Sequence, residues 1–444
     1  MSQTSDARAP RSGLRRRLAV GFGALGVALA ISASAVVIGG DGNGGPPSPV
    51  GVAAPGAGVA ALEAHLRSQP KDAQGWATLG SAYVEQSRTS GDPGGYPRAD
   101  DAFARSLKLR PDDNDAALAG RAALAAARHD FTGALRDADR ALAINPYSDE
   151  GLAIRIDAFV ELGRYDRALK AAQEADVRRP GIPVFTRLAY VFELRGDAKG
   201  ANRVLTLAMS SAASPADIAY VATALGQLAW SQGQYDTALK HCATALRAEP
   251  RNIAALECRA RTHAAQGRTP EAIREYEAIV ARYPLPGQLV ALGELYEAAG
   301  KPQQARKQYA LINTWTALAR SGGVNPDLDT ALAAADHGDR AAALKAARAE
   351  WQRRQTVHTA DALGWALLRN GQAEAALPYA RKATATGYRN AVFLHHLGMI
   401  ELAAGEDAAA RRSLTRALDI NPGFSPLGAA EARRALKRTA KEGS

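Results

Sequence analysis

The chain is predicted to be an all-α solenoid of stacked helical hairpins, on three observations: its composition, a glycine–alanine pair that recurs along it, and prolines that punctuate the same period. At 444 residues with 47% hydrophobic content it must bury its apolar side chains in several domains or in a repeat array. It holds 99 Ala against 8 Phe and 5 Trp, so the interior is built from small side chains that let helices approach closely.

The repeat is read from spacing. Ala99, Ala134, Ala168, Ala201, Ala238, Ala272, Ala305, Ala343, Ala376 and Ala410 follow one another at steps of 33 to 38 residues. Gly163, Gly196, Gly233, Gly267, Gly300, Gly338, Gly371 and Gly405 each stand five residues before one of these alanines. Such a pair describes a helix that ends on a left-handed glycine, a short turn, and a second helix whose alanine sits where the two helices cross. Pro111, Pro146, Pro180, Pro250, Pro284 and Pro422 then end the second helices and lead into the next hairpin.

A period near 34 with these landmarks resembles the tetratricopeptide repeat, and Trp76-x2-Leu79-Gly80-x2-Tyr83 reproduces that family's first-helix pattern. Leu-Gly recurs at Leu225-Gly226, Leu292-Gly293, Leu363-Gly364 and Leu397-Gly398, and Phe103, Tyr276 and Tyr309 hold the large position four beyond the alanine. About ten units fit between residues 73 and 422. The resemblance implies a right-handed superhelix whose first helices line a concave groove. The period is interrupted at Ser90 to Tyr96, read as an extended loop, and at 209–217 and 313–326; the fourth and eighth units are the most degenerate, and the superhelix is expected to bend there.

Before the array, residues 1–17 form a basic tail with Arg8, Arg11, Arg15, Arg16 and Arg17. The uncharged stretch 18–38 is long enough, as a helix, to span about 30 Å of hydrocarbon. The positive-inside bias then sends the body out of the cytoplasm. A retained anchor is favoured over a signal cleaved near Ala35, though Ala33-Ser34-Ala35 suits cleavage. Residues 39–58 read as a Gly/Pro-rich tether, 59–422 as the solenoid, and 423–444 as a basic capping helix and tail, with Ser425 to Lys441 helical. The excess of 44 Arg over 11 Lys agrees with a GC-rich, bacterial source.

Chemistry finds little purchase. The net charge of +10 concentrates in the tails, +4 in residues 1–40 and +3 in 431–444, so no nucleic-acid stripe is expected. Gly21, Gly23 and Gly26 spell a dinucleotide-binding pattern, but inside the apolar segment with no strand before it. No metalloprotease, phosphate-loop or nucleophile-elbow motif occurs, and adjacent His395 and His396 project about 100° apart on a helix. No catalytic residue, metal or cofactor is assigned. Cys242 and Cys258 are expected as two small core residues rather than a disulfide.

Counting along the first helices, as the resemblance directs, places Asp157, Glu161, Tyr190, Gln227, Trp230, Arg261 and Glu294 in the groove, followed by Leu332, Trp365, His395, Met399 and Leu402. The partner-binding set is Tyr190, Gln227, Trp230, Arg261, Glu294, Trp365, His395 and Met399, suited to an extended peptide or a partner helix. The family's carboxylate clamp of Lys and Asn is missing. The expected function is therefore a non-catalytic protein-binding scaffold on the outer side of the cytoplasmic membrane. The alternative is a helical enzyme or accessory domain acting on envelope polymers through Asp157, Glu161 and Glu294, which requires those carboxylates to converge.

Overall fold

A computed structural model describes residues 55–90, 93–321, 323–325 and 327–442. Among them all regular structure is helical. The basic tail, the apolar segment 18–38 and most of the tether lie outside these residues; among the described residues no helix is long and apolar enough to cross a membrane.

Ten hairpins follow a leading helix α1 (Pro55–Ser68). The first five pair α2 (Ala73–Ser90) with α3 (Tyr96–Leu109), α4 (Asp115–Ala127) with α5 (Phe131–Ile144), α6 (Asp149–Glu161) with α7 (Tyr165–Arg178), α8 (Ile182–Leu194) with α9 (Ala198–Ser210), and α10 (Pro215–Ser231) with α11 (Tyr235–Ala248). The next two are α12 (Ile253–Ala265) with α13 (Thr269–Val280) and α14 (Pro286–Ala298) with α15 (Pro302–Ser321). The last three are α16 (Asp327–His337) with α17 (Arg340–Arg353), α18 (Val357–Arg369) with α19 (Ala373–Thr384), and α20 (Ala391–Ala403) with α21 (Asp407–Ile420). A closing helix α22 (Gly428–Glu442) packs on the last pair.

Local chemistry explains each hairpin. All ten repeat alanines are at most 1% exposed, at the helix crossing where any larger side chain would force the pair apart. Seven of the eight turn glycines have positive φ, from +70° to +80°, and in the second unit His129 takes the same place at φ 60°. Asp130 and Asp197 begin second helices by accepting from the N–H groups of Gly133 and Gly200. The Leu-Gly signature has its own reason. A Cβ on Gly80 would stand 2.6 Å from the Phe103 ring, and one on Gly293 2.2 Å from the Tyr309 ring, so the large side chain of the second helix rests on bare backbone of the first.

Part of the irregular length is taken up by helix. Of the loop expected from Ser90 to Tyr96, the described residues are helical: α2 runs on to Ser90, a 3₁₀ turn spans Pro93–Gly95, and Tyr96 is 1% exposed at the start of α3. The tether is likewise shorter than expected, since α1 begins at Pro55 and seats Val59 and Leu66 in the core of the first unit. The 313–326 irregularity extends α15 to 20 residues, and its extra turns carry Trp315 and Ala319 against the first two units.

The solenoid also closes on itself. The turn of the second unit meets the loop between units seven and eight, where His129 Nδ1 donates to the Asn325 carbonyl (2.8 Å). The third unit's turn at Gly163 meets Gln355, the fourth's at Gly196 meets Gly387, and the fifth's at Gly233 meets Ile420 and Pro422. Five to six units therefore complete one superhelical turn, and the second turn lies directly on the first. Polar bonds lock this seam: Val357 N–H donates to the Tyr165 hydroxyl (2.8 Å), and Arg354 pairs with Glu161. Tyr235 donates to Asn421 Oδ1 (2.6 Å) and accepts from Gly423 N–H (2.8 Å), while the Asn421 amide donates to the Trp230 carbonyl (2.9 Å). One apolar cluster spans the two superhelical turns, uniting Ile156, Val191 and Leu194 with Val357, Tyr388 and Phe393.

The seam makes a testable difference between equivalent glycines. A Cβ on Gly163 (φ +70°) would lie 2.3 Å from the Gln355 carbonyl, whereas Gly371 (φ +75°) has nothing within 4 Å. Both Gly→Ala variants bear left-handed strain of about 1–2 kcal/mol. Gly163→Ala must in addition displace backbone, about 1–3 kcal/mol more. Thermal unfolding of the two variants should show Gly163→Ala as the less stable, and equal midpoints would refute the close approach.

An enclosed groove as the candidate site

Closure turns the inner face of the superhelix into a concave groove of about 1710 Å³, bounded by first helices from the fourth unit to the tenth and flanked by the segment 423–428 and α22. Seven of the eight residues expected to face a partner line it: Tyr190, Gln227, Trp230, Arg261, Glu294, Trp365 and His395. Met399 does not; it packs beside Trp365 and against the cluster of Leu414 and Ala432, because α22 covers the end of the array. Leu332 lines the cavity, while Leu402 joins Met399 under α22.

Two stretches of wall differ in character. Around the ninth and tenth units the side chains are committed to one another. Trp365, 3% exposed, donates from Nε1 to Asp336 (2.9 Å) and stacks on His396 with ring centroids 4.0 Å apart. Asp361 holds His396 Nδ1 at 2.9 Å; burial works against the charged ring, but Asp361 overcomes it and raises the His396 pKa. His395 is 3.2 Å from Glu431 of α22, yet burial keeps its pKa below the ordinary value. Trp365 and His395, expected as ligand contacts, are thus built into the wall, and His395 meets the cap.

The wall formed by units four to seven is the open one. Arg261 lies 4.7 Å over the Trp230 ring and pairs with Glu257 (3.1 Å), which also accepts from Gln288 (2.7 Å). Among the described residues Trp230 Nε1 on α10 and Gln288 Oε1 on α14 are buried without a hydrogen-bond partner, one donor and one acceptor two units apart. Burial pushes the Glu193 carboxyl up to about 8. Tyr309 stacks on His337 at 4.0 Å; His337 loses charge stability by burial, but Glu294, Asp336 and Glu297 together raise its pKa. Gln288, His337, Asp336 and Asp361 were not among the expected site residues, because each gains its place from packing between units rather than from its own repeat position.

The three carboxylates required by an enzymatic reading do not converge. Asp157 is buried in an ion pair with Arg187 (2.8 Å), Glu161 pairs with Arg354 at the seam, and Glu294 accepts from Ser425 (3.2 Å) beside His337. No group of three or more His, Cys, Asp or Glu able to hold a metal occurs among the described residues.

The two cysteines are bonded, contrary to expectation. Gly226 lets α10 approach both sulfurs, and α11 and α12 bring the two Cα atoms to 6.0 Å, inside the range a disulfide needs. Sixteen residues of sequence separation did not reveal that approach.

Residues 223–285 and 362–423 match the tetratricopeptide repeat family, covering the fifth and sixth units and the ninth and tenth. No curated protein matches the chain. Among solved structures it is similar to a thermophilic TPR protein of Thermus thermophilus, at 25% identity over 44% of this chain and 98% of that one, with a TM-score of 0.38. It is also similar to the Pseudomonas aeruginosa protein pilF, at 18% identity over 49% and 94% with a TM-score of 0.37, and to yeast Tom70, at 12% over 87% and 93% with a TM-score of 0.35. These likenesses carry no argument about partners. The two matched stretches therefore resemble tetratricopeptide repeats, and they lie within a body whose described regular structure is all helical.

Proposed function

We propose that the chain is a non-catalytic scaffold that takes an extended peptide segment of a protein partner into its concave groove, on the outer side of the cytoplasmic membrane of a bacterium. The observation that carries this reading is the cavity wall of units four to seven. A volume of about 1710 Å³ exceeds the ~300–1,000 Å³ of small-molecule pockets. The part-exposed side chains of Gln227, Trp230 and Arg261 on this wall offer an amide, an aromatic face and a guanidinium to the alternating carbonyls and N–H groups of an extended backbone. Concave binding surfaces of this kind are what repeat solenoids offer their partners.

Placement outside the cytoplasm is supported by the arginine-flanked apolar segment and by the Cys242–Cys258 disulfide, which persists in oxidising compartments. The scattered carboxylates favour the scaffold over a polymer-acting enzyme.

The test is selection of peptides from a random display library on the full chain, followed by titration of the selected peptide against Trp230→Ala and Gln288→Ala. Each variant should weaken binding by about tenfold, equivalent to about 1.4 kcal/mol, with the helical circular dichroism of both variants unchanged. Wild-type affinity in both variants would remove the groove from the function. Finding the full-length chain in salt-washed membranes would support the anchor, and a soluble product beginning near Val36 would replace it with a cleaved signal.

A further inference from the structure

The seam that closes the solenoid uses only half of the surfaces able to form it. On one side are the turns inside hairpins; on the other are the loops between hairpins. Within the chain, the turns of units two to five receive the loops that follow units seven to ten, in the same order. Each loop drives apolar side chains into the junction: Val324, Val357, Tyr388 and Phe424 are all at most 6% exposed.

The matching surfaces at the two ends are uncovered. Gly300, Gly371 and Gly405, in the turns of units seven, nine and ten, have no described atom within 4 Å of where a Cβ would stand. At the opposite rim, the ends of α3, α5 and α7 and the loops after them expose Leu109 (42%), Ile144 (38%), Tyr147 (61%) and Val177 (86%). Two of these positions, Leu109 and Ile144, are equivalent to ones the seam buries. Leu109 and Ile144 lie ten residues beyond their repeat alanines, as do Trp315 and Ile420, which are 4% exposed. Tyr147 lies thirteen beyond Ala134, between the offsets of Tyr388, twelve beyond Ala376, and Phe424, fourteen beyond Ala410.

We propose that the loop rim of units one to four of one copy seats on the turn rim of units seven to ten of a second copy, continuing the intrachain seam between molecules. The occupant is a second copy because the complementarity already exists: the chain pairs these two kinds of surface with each other once. The contact is heterologous, since each copy offers a different rim, so association is open-ended and head-to-tail rather than two-fold. It adds turns to the superhelix and uses rim surfaces outside the groove lining.

Sedimentation equilibrium of the full chain, in a neutrally buoyant detergent from about 1 µM to about 1 mM, reads the association over the range of weak to moderate interfaces. The weight-average mass should rise past that of a dimer. A loop-rim variant, Ile144→Asp with Tyr147→Asp, and a turn-rim variant, Gln372→Arg with Glu406→Arg, should each remain monomeric alone. Mixed in equal amounts they should form dimers and nothing larger, because one working rim survives on each. Unchanged circular dichroism of both variants shows that folding is intact, and if the loop-rim variant fails to fold, Tyr147→Asp alone is used in the same mixture. A wild-type mass that stays monomeric throughout, self-association of either folded variant like the wild type, or a mixture that stays monomeric would each overturn the proposal.

Discussion

Arg187→Met should destabilise the fold by about 3–5 kcal/mol, because it strands a buried carboxylate. Asp157 and Arg187 face each other from α6 and α8 at 2.8 Å, with side chains 4% and 5% exposed. Both guanidinium contacts go to Asp157 Oδ2, and Oδ1 is buried with no other partner among the described residues. Burial already pushes the Asp157 carboxyl above its ordinary range despite the neighbouring guanidinium. Removing that guanidinium leaves desolvation uncompensated, so the carboxyl must take up a proton or the third and fourth units must part. Asp157→Leu combined with Arg187→Met removes the uncompensated charge, and this double variant should recover most of the loss. The measurement is urea unfolding combined with amide exchange in α6 and α8, since an array of repeats opens locally as well as globally. Equal stability of Arg187→Met and wild type would show that the pair contributes nothing to the stack.

The pair also marks where sequence reading stops. The glycine–alanine spacing places ten hairpins correctly because each landmark answers to local physics: a left-handed turn at Gly163 and its equivalents, and an alanine at each crossing. Counting along first helices picks out positions on the cavity wall for the same reason, as at Gln227, Trp230 and Arg261. What spacing does not carry is the superhelical closure. Its contacts join residues nearly two hundred positions apart, as from Tyr165 to Val357, and several are made by backbone carbonyls of loops whose lengths vary. Asp157 was therefore legible as inward-facing but not as paired, because Arg187 stands in the next unit. Trp365 was legible as a groove position but not as a residue already claimed by Asp336 and His396. Met399 was misplaced because the covering helix α22 is an addition beyond the period.

Closure has a pH dependence of its own, and its loss in mild acid is the second large effect expected. His129 and His358 both lie at the seam, one bonded to Asn325 and the other packed edge-on to Phe393. Burial first, and the charge of Arg354 second, hold each of them down to about 4. Their folded-state pKa values lie below the ordinary 6.5, so the unfolded chain binds the protons more readily. Stability from these groups is accordingly complete above pH 6.5 and is lost as pH falls from 6.5 toward 4. At pH 5 the loss is about 2 kcal/mol for each ring. His337 and His396 are shifted the opposite way, so their stability is lost as pH rises through their folded pKa values and they do not account for the acid loss. Glu193, raised to about 8, favours the folded state as pH falls, which offsets the histidines in the wild type but not in a comparison of variants. His358→Phe keeps a ring against Tyr388 and Phe393, and His129→Asn tolerates the left-handed turn. Between pH 7 and pH 5 the double variant should lose about 4 kcal/mol less than the wild type in urea unfolding, the two single variants each accounting for half. Identical pH profiles for all four proteins would mean that these rings stay neutral in both states, and the seam would then have no acid-sensitive part. If the profiles separate as expected, amide exchange at pH 5 should locate the loosening at Asn325 and Val357, where the second superhelical turn rests on the first.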